Sequence, residues 1–126
     1  MIFGIGCDIV DVARMKKWVN DEKMLHFVFN EREIVGSEKK YSEQKLCEHY
    51  AARFAAKEAF SKALGTGLVF SVRDVFIEKS ENGSPFLIVE NKAKEILEEK
   101  VGKYNVHVSL SHEKSSAIAF VVIERL

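Results

Sequence analysis

Apolar residues recur along this chain in two rhythms, one of period two and one of three-and-four spacing. Ile2 to Cys7 is a short apolar run broken by Gly4 and Gly6, which predicts a buried strand. Asp8 follows it directly and is placed to cap the next element. From Asp11 to Val19, apolar Val12, Met15 and Val19 recur at helical spacing while Arg14, Lys16 and Lys17 point elsewhere. Leu25 to Val35 carries a second apolar pattern. Within it, Asn30 followed three residues later by Glu33 is a capping-box signature for a short helix. The longest periodic stretch covers residues 42 to 64, opened by Ser42 and closed by Gly65-Thr66-Gly67.

Beyond that stop, Val72 to Lys79 and Pro85 to Val89 read as strands around Glu81-Asn82-Gly83-Ser84, where Asn-Gly is a strong hairpin signal. Asn91 to Lys103 is an amphipathic helix. Val106 to Ser111 and Ala117 to Ile123 form a final strand pair joined by residues 112 to 116. The order predicts an α+β domain: a mainly antiparallel sheet packed with a long alanine-rich helix and shorter helices.

Size and charge narrow the picture. A chain of 126 residues fits one domain spanning 1–126, and 47% hydrophobic residues with one proline supply a packed interior rather than disorder. Nineteen basic residues balance nineteen acidic ones, which leaves no overall electrostatic case for nucleic acid or a membrane surface. An anionic substrate must therefore meet a local cluster of positive charge. Cys7 and Cys47 stand in no metal-ligand or CxxC spacing and read as reduced thiols. The start, MIFGIGCDIV, has no basic leader and carries an acid at position 8, so the expectation is a soluble cytoplasmic domain.

The long helix carries the most chemistry. Ala51, Ala52, Ala55, Ala56, Ala59 and Ala63 lie on several faces, so neighbouring elements can approach its backbone closely. Among them, Arg53 and Lys57 share one edge at i, i+4, and Glu58 and Lys62 share another. Glu58 with Lys62 also fits a plain solvated helix pair. Asp8 taken alone fits a helix cap. Together, Asp8 and Glu58 on separate rigid elements can hold a hard cation such as Mg²⁺, leaving sites for water and phosphate oxygens. Without a His/Cys cluster, zinc is not expected. At a predicted strand end, alternation puts Ser109 and Ser111 on one face and His112 opens the turn, a polar edge able to bind phosphate. Gly65 would let a ligand approach the backbone, although a glycine helix stop explains it as well.

The chain resembles the 4′-phosphopantetheinyl transferase superfamily, in its small acyl-carrier-protein synthase branch. The resemblance rests on Gly4-Ile5-Gly6-Cys7-Asp8-Ile9-Val10, Arg14, Phe29, Glu31 to Glu33 and Arg53-Phe54-Ala55-Ala56-Lys57-Glu58-Ala59. It continues through Lys62-Ala63, Gly65-Thr66-Gly67, Asn82-Gly83-Ser84-Pro85 and Ser109-Leu110-Ser111-His112. It implies transfer of phosphopantetheine from coenzyme A to a serine of acyl carrier protein, releasing 3′,5′-ADP with Mg²⁺ as cofactor. It also implies the roles: Asp8 and Glu58 as metal ligands, Lys62 beside the pyrophosphate, and Ser111 and His112 near the nucleotide. Homotrimers with the active site between subunits, and a place in fatty acid biosynthesis, belong to the same implication. Arg53 suits paired phosphate oxygens. Two bases are open for the serine proton, Glu58 directly or a water held at the metal. Arg14 and Lys17, with Lys16 and Met15, would offer an acidic carrier protein a basic and apolar face. A coenzyme A-binding module without catalysis is the competing reading, and it would not need Asp8 and Glu58.

Overall fold

The computed structural model describes residues 1–126. Strand β1 (Ile2–Asp11) does not stop at Cys7, because its pairing with the last strand continues from Cys7–Phe120 through Asp8–Ala119 to Asp11–Ser116. Asp8 is therefore a strand residue and caps nothing. The expected first helix divides into a 3₁₀ turn at Val12–Met15 and the single turn α1 (Lys16–Val19). Helix α2 (Glu22–Val28) begins at Asp21, whose carboxylate accepts from Met24 N–H.

The Asn30/Glu33 capping box is present, but it closes only a 3₁₀ turn at Glu31–Glu33. The Glu33 side chain is drawn inward instead. Its Oε1 accepts from Asn30 N–H at 3.1 Å and from Lys57 Nζ at 2.7 Å, and its Oε2 accepts from Ile77 N–H at 3.0 Å. Lys57 Nζ also donates to the carbonyls of Val72 (3.0 Å) and Val75 (2.6 Å). Both side chains are fully buried. Three segments distant in sequence thus meet on one satisfied ion pair. Removing one partner strands the other charge in a low-dielectric interior, so Lys57→Met is expected to cost about 3–5 kcal/mol of stability. Urea denaturation measures it, and a loss below about 1 kcal/mol would show that Glu33 finds another partner.

Helix α3 (Glu43–Leu64) starts where Ser42 Oγ accepts from Lys45 N–H and ends at Gly65, left-handed at φ 84°. The chain continues through a 3₁₀ turn at Val72–Asp74 into β2 (Val75–Lys79) and β3 (Pro85–Val89). Helix α4 (Asn91–Val101) and the strands β4 (Tyr104–His112) and β5 (Ser116–Arg125) complete it. The strands form two antiparallel sheets, one of three strands in the order β1-β5-β4 and the β2-β3 hairpin. The α+β expectation holds.

Register assigns the faces of the larger sheet. Gly4, Gly6, Asp8 and Val10 of β1 align with Ile123, Val121, Ala119 and Ala117 of β5, and then with Val106, Val108, Leu110 and His112 of β4. This face lies under α3. A Cβ at Gly6 would land on the carbonyl oxygen of Ala59, and one at Gly4 on that of Ala63. Glycine on the strand and alanine on the helix together allow that approach. The opposite face carries Ile5, Ile9, Ile118, Phe120 and Val122, and no part of the chain covers it: Ile5 is 59% exposed, Ile9 65% and Phe120 48%.

Candidate active site

Two constellations stand on opposite edges of the α3-covered face. At the β1 edge, Asp8 and the C-terminal half of α3 meet. Lys62 Nζ donates to Asp8 Oδ1 at 3.0 Å and to the Cys7 carbonyl at 3.0 Å. Hydrogen bonding to Asp8 raises the Lys62 pKa. Glu58, one turn earlier on α3, is half-buried. Burial first, and then the Asp8 charge, push its carboxyl above the usual carboxylate range, against the opposing pull of Lys62 and Arg14. Glu58, Lys62 and Gly65 follow at i, i+4 and i+7 and so share one side of the helix. Lys62 pairs with Asp8 rather than forming a solvated pair with Glu58.

At the β4 edge, α3 and the loop before it, the β2-β3 hairpin and the end of β4 enclose a cleft of about 330 Å³ lined by Lys39, Tyr41, Lys45, Glu48, His49, Arg53, Lys79 and His112. That volume falls in the range of small-molecule sites. Gly83 and Pro85 of the hairpin continue its wall. Arg53 donates through one terminal nitrogen to the His49 carbonyl at 3.2 Å, while its Nε–H is buried without a partner. Burial lowers the Arg53 pKa, partly offset by Glu33. His112 lies 3.4 Å from Glu48 Oε1.

The two constellations are separate within one chain. Arg53 and Glu58 are five residues apart on α3, about 140° around the axis and about 7–8 Å along it. Asp8 and His112 lie on the two edge strands, about 10 Å apart across β5. Ser111 lies where strand alternation puts it. It pairs with Ile118 on the uncovered face, and it lines a shallow hollow there together with Ile9 and the edge of its neighbour His112.

The face around Arg14 adjoins the first constellation. The Arg14 guanidinium lies 5.4 Å from the Phe54 ring centre, Phe54 packs edge-on against Trp18 at 5.3 Å, and Lys17 Nζ lies 6.0 Å from the Trp18 ring. Phe54 precedes Glu58 by one helical turn. Met15 does not contribute, because it is fully buried in the core. Trp18 takes the apolar place expected of it.

Residues 4–121 match the family model described as the 4′-phosphopantetheinyl transferase superfamily. The chain belongs to that superfamily. A holo-[acyl-carrier-protein] synthase of Treponema denticola is 46% identical to this phosphopantetheinyl transferase over 127 residues, covering 98% of the chain and 99% of the relative. The crystal structure of a holo-(acyl-carrier-protein) synthase from Bacillus anthracis in complex with CoA (3′,5′-ADP) superposes with a TM-score of 0.75 at 35% identity. It spans 100% of this chain and 99% of that one. A holo-ACP-synthase from Plasmodium yoelii gives a TM-score of 0.83 at 30% identity, over 98% and 94%. The enzyme is thus of the small acyl-carrier-protein synthase type.

Six cleft residues of this transferase lie outside the sequence expectation: Lys39, Tyr41, Lys45, Glu48, His49 and Lys79. Lys45, His49 and Arg53 stand at i, i+4 and i+8 on one helix, a spacing legible in the sequence. Lys39 and Lys79 reach the cleft from elements whose placement depends on tertiary packing.

Proposed function

We propose that this transferase moves the 4′-phosphopantetheine arm of coenzyme A onto a serine of apo acyl carrier protein, releasing 3′,5′-ADP. The observation that carries the reading is the pairing of Asp8 and Glu58 around Lys62 in a chain of this superfamily. Burial first, and then the Asp8 charge, raise the Glu58 pKa despite Lys62 and Arg14, so a further cation between the two carboxylates would be favoured. No group of three or more His, Cys, Asp or Glu side chains is gathered anywhere. Mg²⁺ suits such a site, since it binds through one or two carboxylates and completes its shell with water and substrate phosphates. Asp8 and Glu58 would hold it, and when bound it supplies charge neutralisation at the phosphates.

In this reading the serine oxygen forms a bond to the β-phosphorus while the bond from that phosphorus to the bridging oxygen breaks. Lys62, oriented by Asp8 and the Cys7 carbonyl, donates to the pyrophosphate as charge moves to the leaving oxygen. Glu58, with its raised pKa, is this chain's own acceptor for the serine proton. Arg53, with an unpaired N–H, and His112 hold phosphate on the nucleotide side. Gly65 leaves the helix end open beside Lys62, where a Cβ would meet nothing. Ser111 joins the nucleotide contacts from the sheet's other face.

Coenzyme A must span both constellations, and in one chain they lie on opposite edges. The uncovered apolar face offers the remedy. A homotrimer that buries Ile5, Ile9 and Phe120 would bring the Asp8 edge of one subunit against the cleft of the next, with Ser111 at the seam. The setting is the cytoplasm, where carrier protein serves fatty acid biosynthesis. Intact-mass spectrometry of apo acyl carrier protein with this protein, coenzyme A and Mg²⁺ tests the whole reading. A gain of one phosphopantetheine arm, abolished by EDTA, is expected; no gain with several apo carriers, despite coenzyme A binding, would refute it.

The Arg14 face receives the carrier. Carrier proteins of this kind are acidic, and Arg14 with Lys17 frames Trp18 next to Glu58. Arg14→Glu is expected to raise the KM for carrier protein about tenfold, leaving that for coenzyme A unchanged. Equal effects on both would count against docking here.

A further inference from the structure

The cleft at the β4 edge presents hydrogen-bond donors on most sides, from Lys39, Lys45, Arg53 and Lys79, and its one carboxylate, Glu48, already accepts from Gln44 through Oε2 at 2.7 Å and faces His112 through Oε1 at 3.4 Å. His49 breaks the pattern. Its Nε2 lies 2.7 Å from the Glu33 carbonyl oxygen. A carbonyl can only accept, so the ring proton is on Nε2 and Nδ1 carries a lone pair. The bond from Nε2 is the only hydrogen bond the His49 ring makes within the protein, which leaves Nδ1 free. Burial, and then the Arg53 charge, push the imidazole down to about 4, which keeps it neutral at cellular pH. Edge-on packing against Tyr50, with ring centres 4.8 Å apart, fixes the ring plane.

A neutral acceptor among cations cannot serve a phosphate, whose oxygens are acceptors too. The part of the ligand that reaches His49 must bring an N–H or O–H. We infer that His49 is a specificity-determining residue: its Nδ1 accepts a hydrogen bond from a donor on the nucleotide end of coenzyme A while the surrounding cations hold the phosphates. Two groups of that end have the required chemistry, the exocyclic amine of adenine and the ribose 2′-hydroxyl. The inference rests on the transferase reading for the identity of the ligand.

Steady-state kinetics of the full chain with coenzyme A and two analogues tests it. One analogue lacks the 2′-hydroxyl; the other carries hypoxanthine, which replaces the amine donor with a carbonyl. The wild-type protein is expected to show a KM about tenfold higher for one of them at unchanged kcat. His49→Leu is expected to raise the KM for coenzyme A by a similar factor and to treat that analogue and coenzyme A alike. If His49→Leu does not fold, His49→Phe, which keeps a ring against Tyr50, makes the same comparison. Equal wild-type KM values for all three ligands would overturn the inference, as would discrimination that survives in the variant. Absence of transfer from every ligand would instead refute the transferase reading. Calorimetric titration of the same ligands then decides on His49 alone.

Discussion

Asp8→Ala and Glu58→Ala are each expected to lower kcat about a thousandfold or more while leaving coenzyme A binding within a few-fold of wild type. The expectation follows from where each group acts. In the proposed reading most nucleotide contacts come from the cleft around Arg53 and His112, on the opposite edge of the sheet from Asp8, so the carboxylates contribute little to nucleotide affinity. The proposed reading puts the charge that develops during phosphoryl transfer at the Asp8 edge, and stabilisation confined to the transition state is lost from kcat. Removing Asp8 also releases Lys62, which keeps only the Cys7 carbonyl as a partner. Asp8→Asn retains the size of the side chain and separates charge from packing; it is expected to be almost as damaging as Asp8→Ala. A variant that transfers phosphopantetheine within tenfold of wild type would remove Asp8 and Glu58 from the mechanism.

The second large effect is a gain. On the proposed homotrimer, Asp8→Ala and Arg53→Ala proteins are each expected to be inactive under subsaturating coenzyme A, yet mixing the two after subunit exchange should restore about a quarter of wild-type activity. The fraction follows from counting. A working site needs the β1 edge from an Arg53→Ala subunit and the cleft from an Asp8→Ala subunit, and random assembly from equal amounts places them in that order at one interface in four. Recovery near a quarter would establish that the site is shared. No recovery, with subunit exchange demonstrated by mass, would place both halves within one chain and leave the uncovered sheet face without a role in catalysis.

Local signals in the sequence were faithful where the structure they specify is local. Ser42 and Gly65 bound α3 because capping and a left-handed stop involve only neighbouring residues. The Asn82-Gly83 turn holds its hairpin for the same reason, with Gly83 at φ 86°. Candidate residues Asp8, Glu58 and Lys62 come together as neighbours at one edge. What escaped the sequence depends on partners far along the chain. β1 runs past Cys7 because β5 supplies hydrogen bonds to residues 8 to 11. Lys57 reads as an edge residue beside Arg53 but is buried, because Glu33 reaches it from 24 residues away. Met15 is drawn into the core although its neighbours are exposed and basic. Ser111 and His112, adjacent in the chain, serve opposite faces of a strand, which alternation alone already required.

The glycines of β1 have a meaning beyond packing. Gly6 and Asp8 project from the same face of one strand, and Gly6 rests against the helical turn that leads from Glu58 to Lys62. The distance between the strand and the helix that carry the two carboxylates is therefore set by backbone against backbone, with no side chain at Gly6 to bend or rotate. A site dimensioned in this way is stiff. Only the χ angles of Asp8 and Glu58 themselves remain to adjust the separation of the carboxylates, and moving their attachment points would require the strand to slide along the helix.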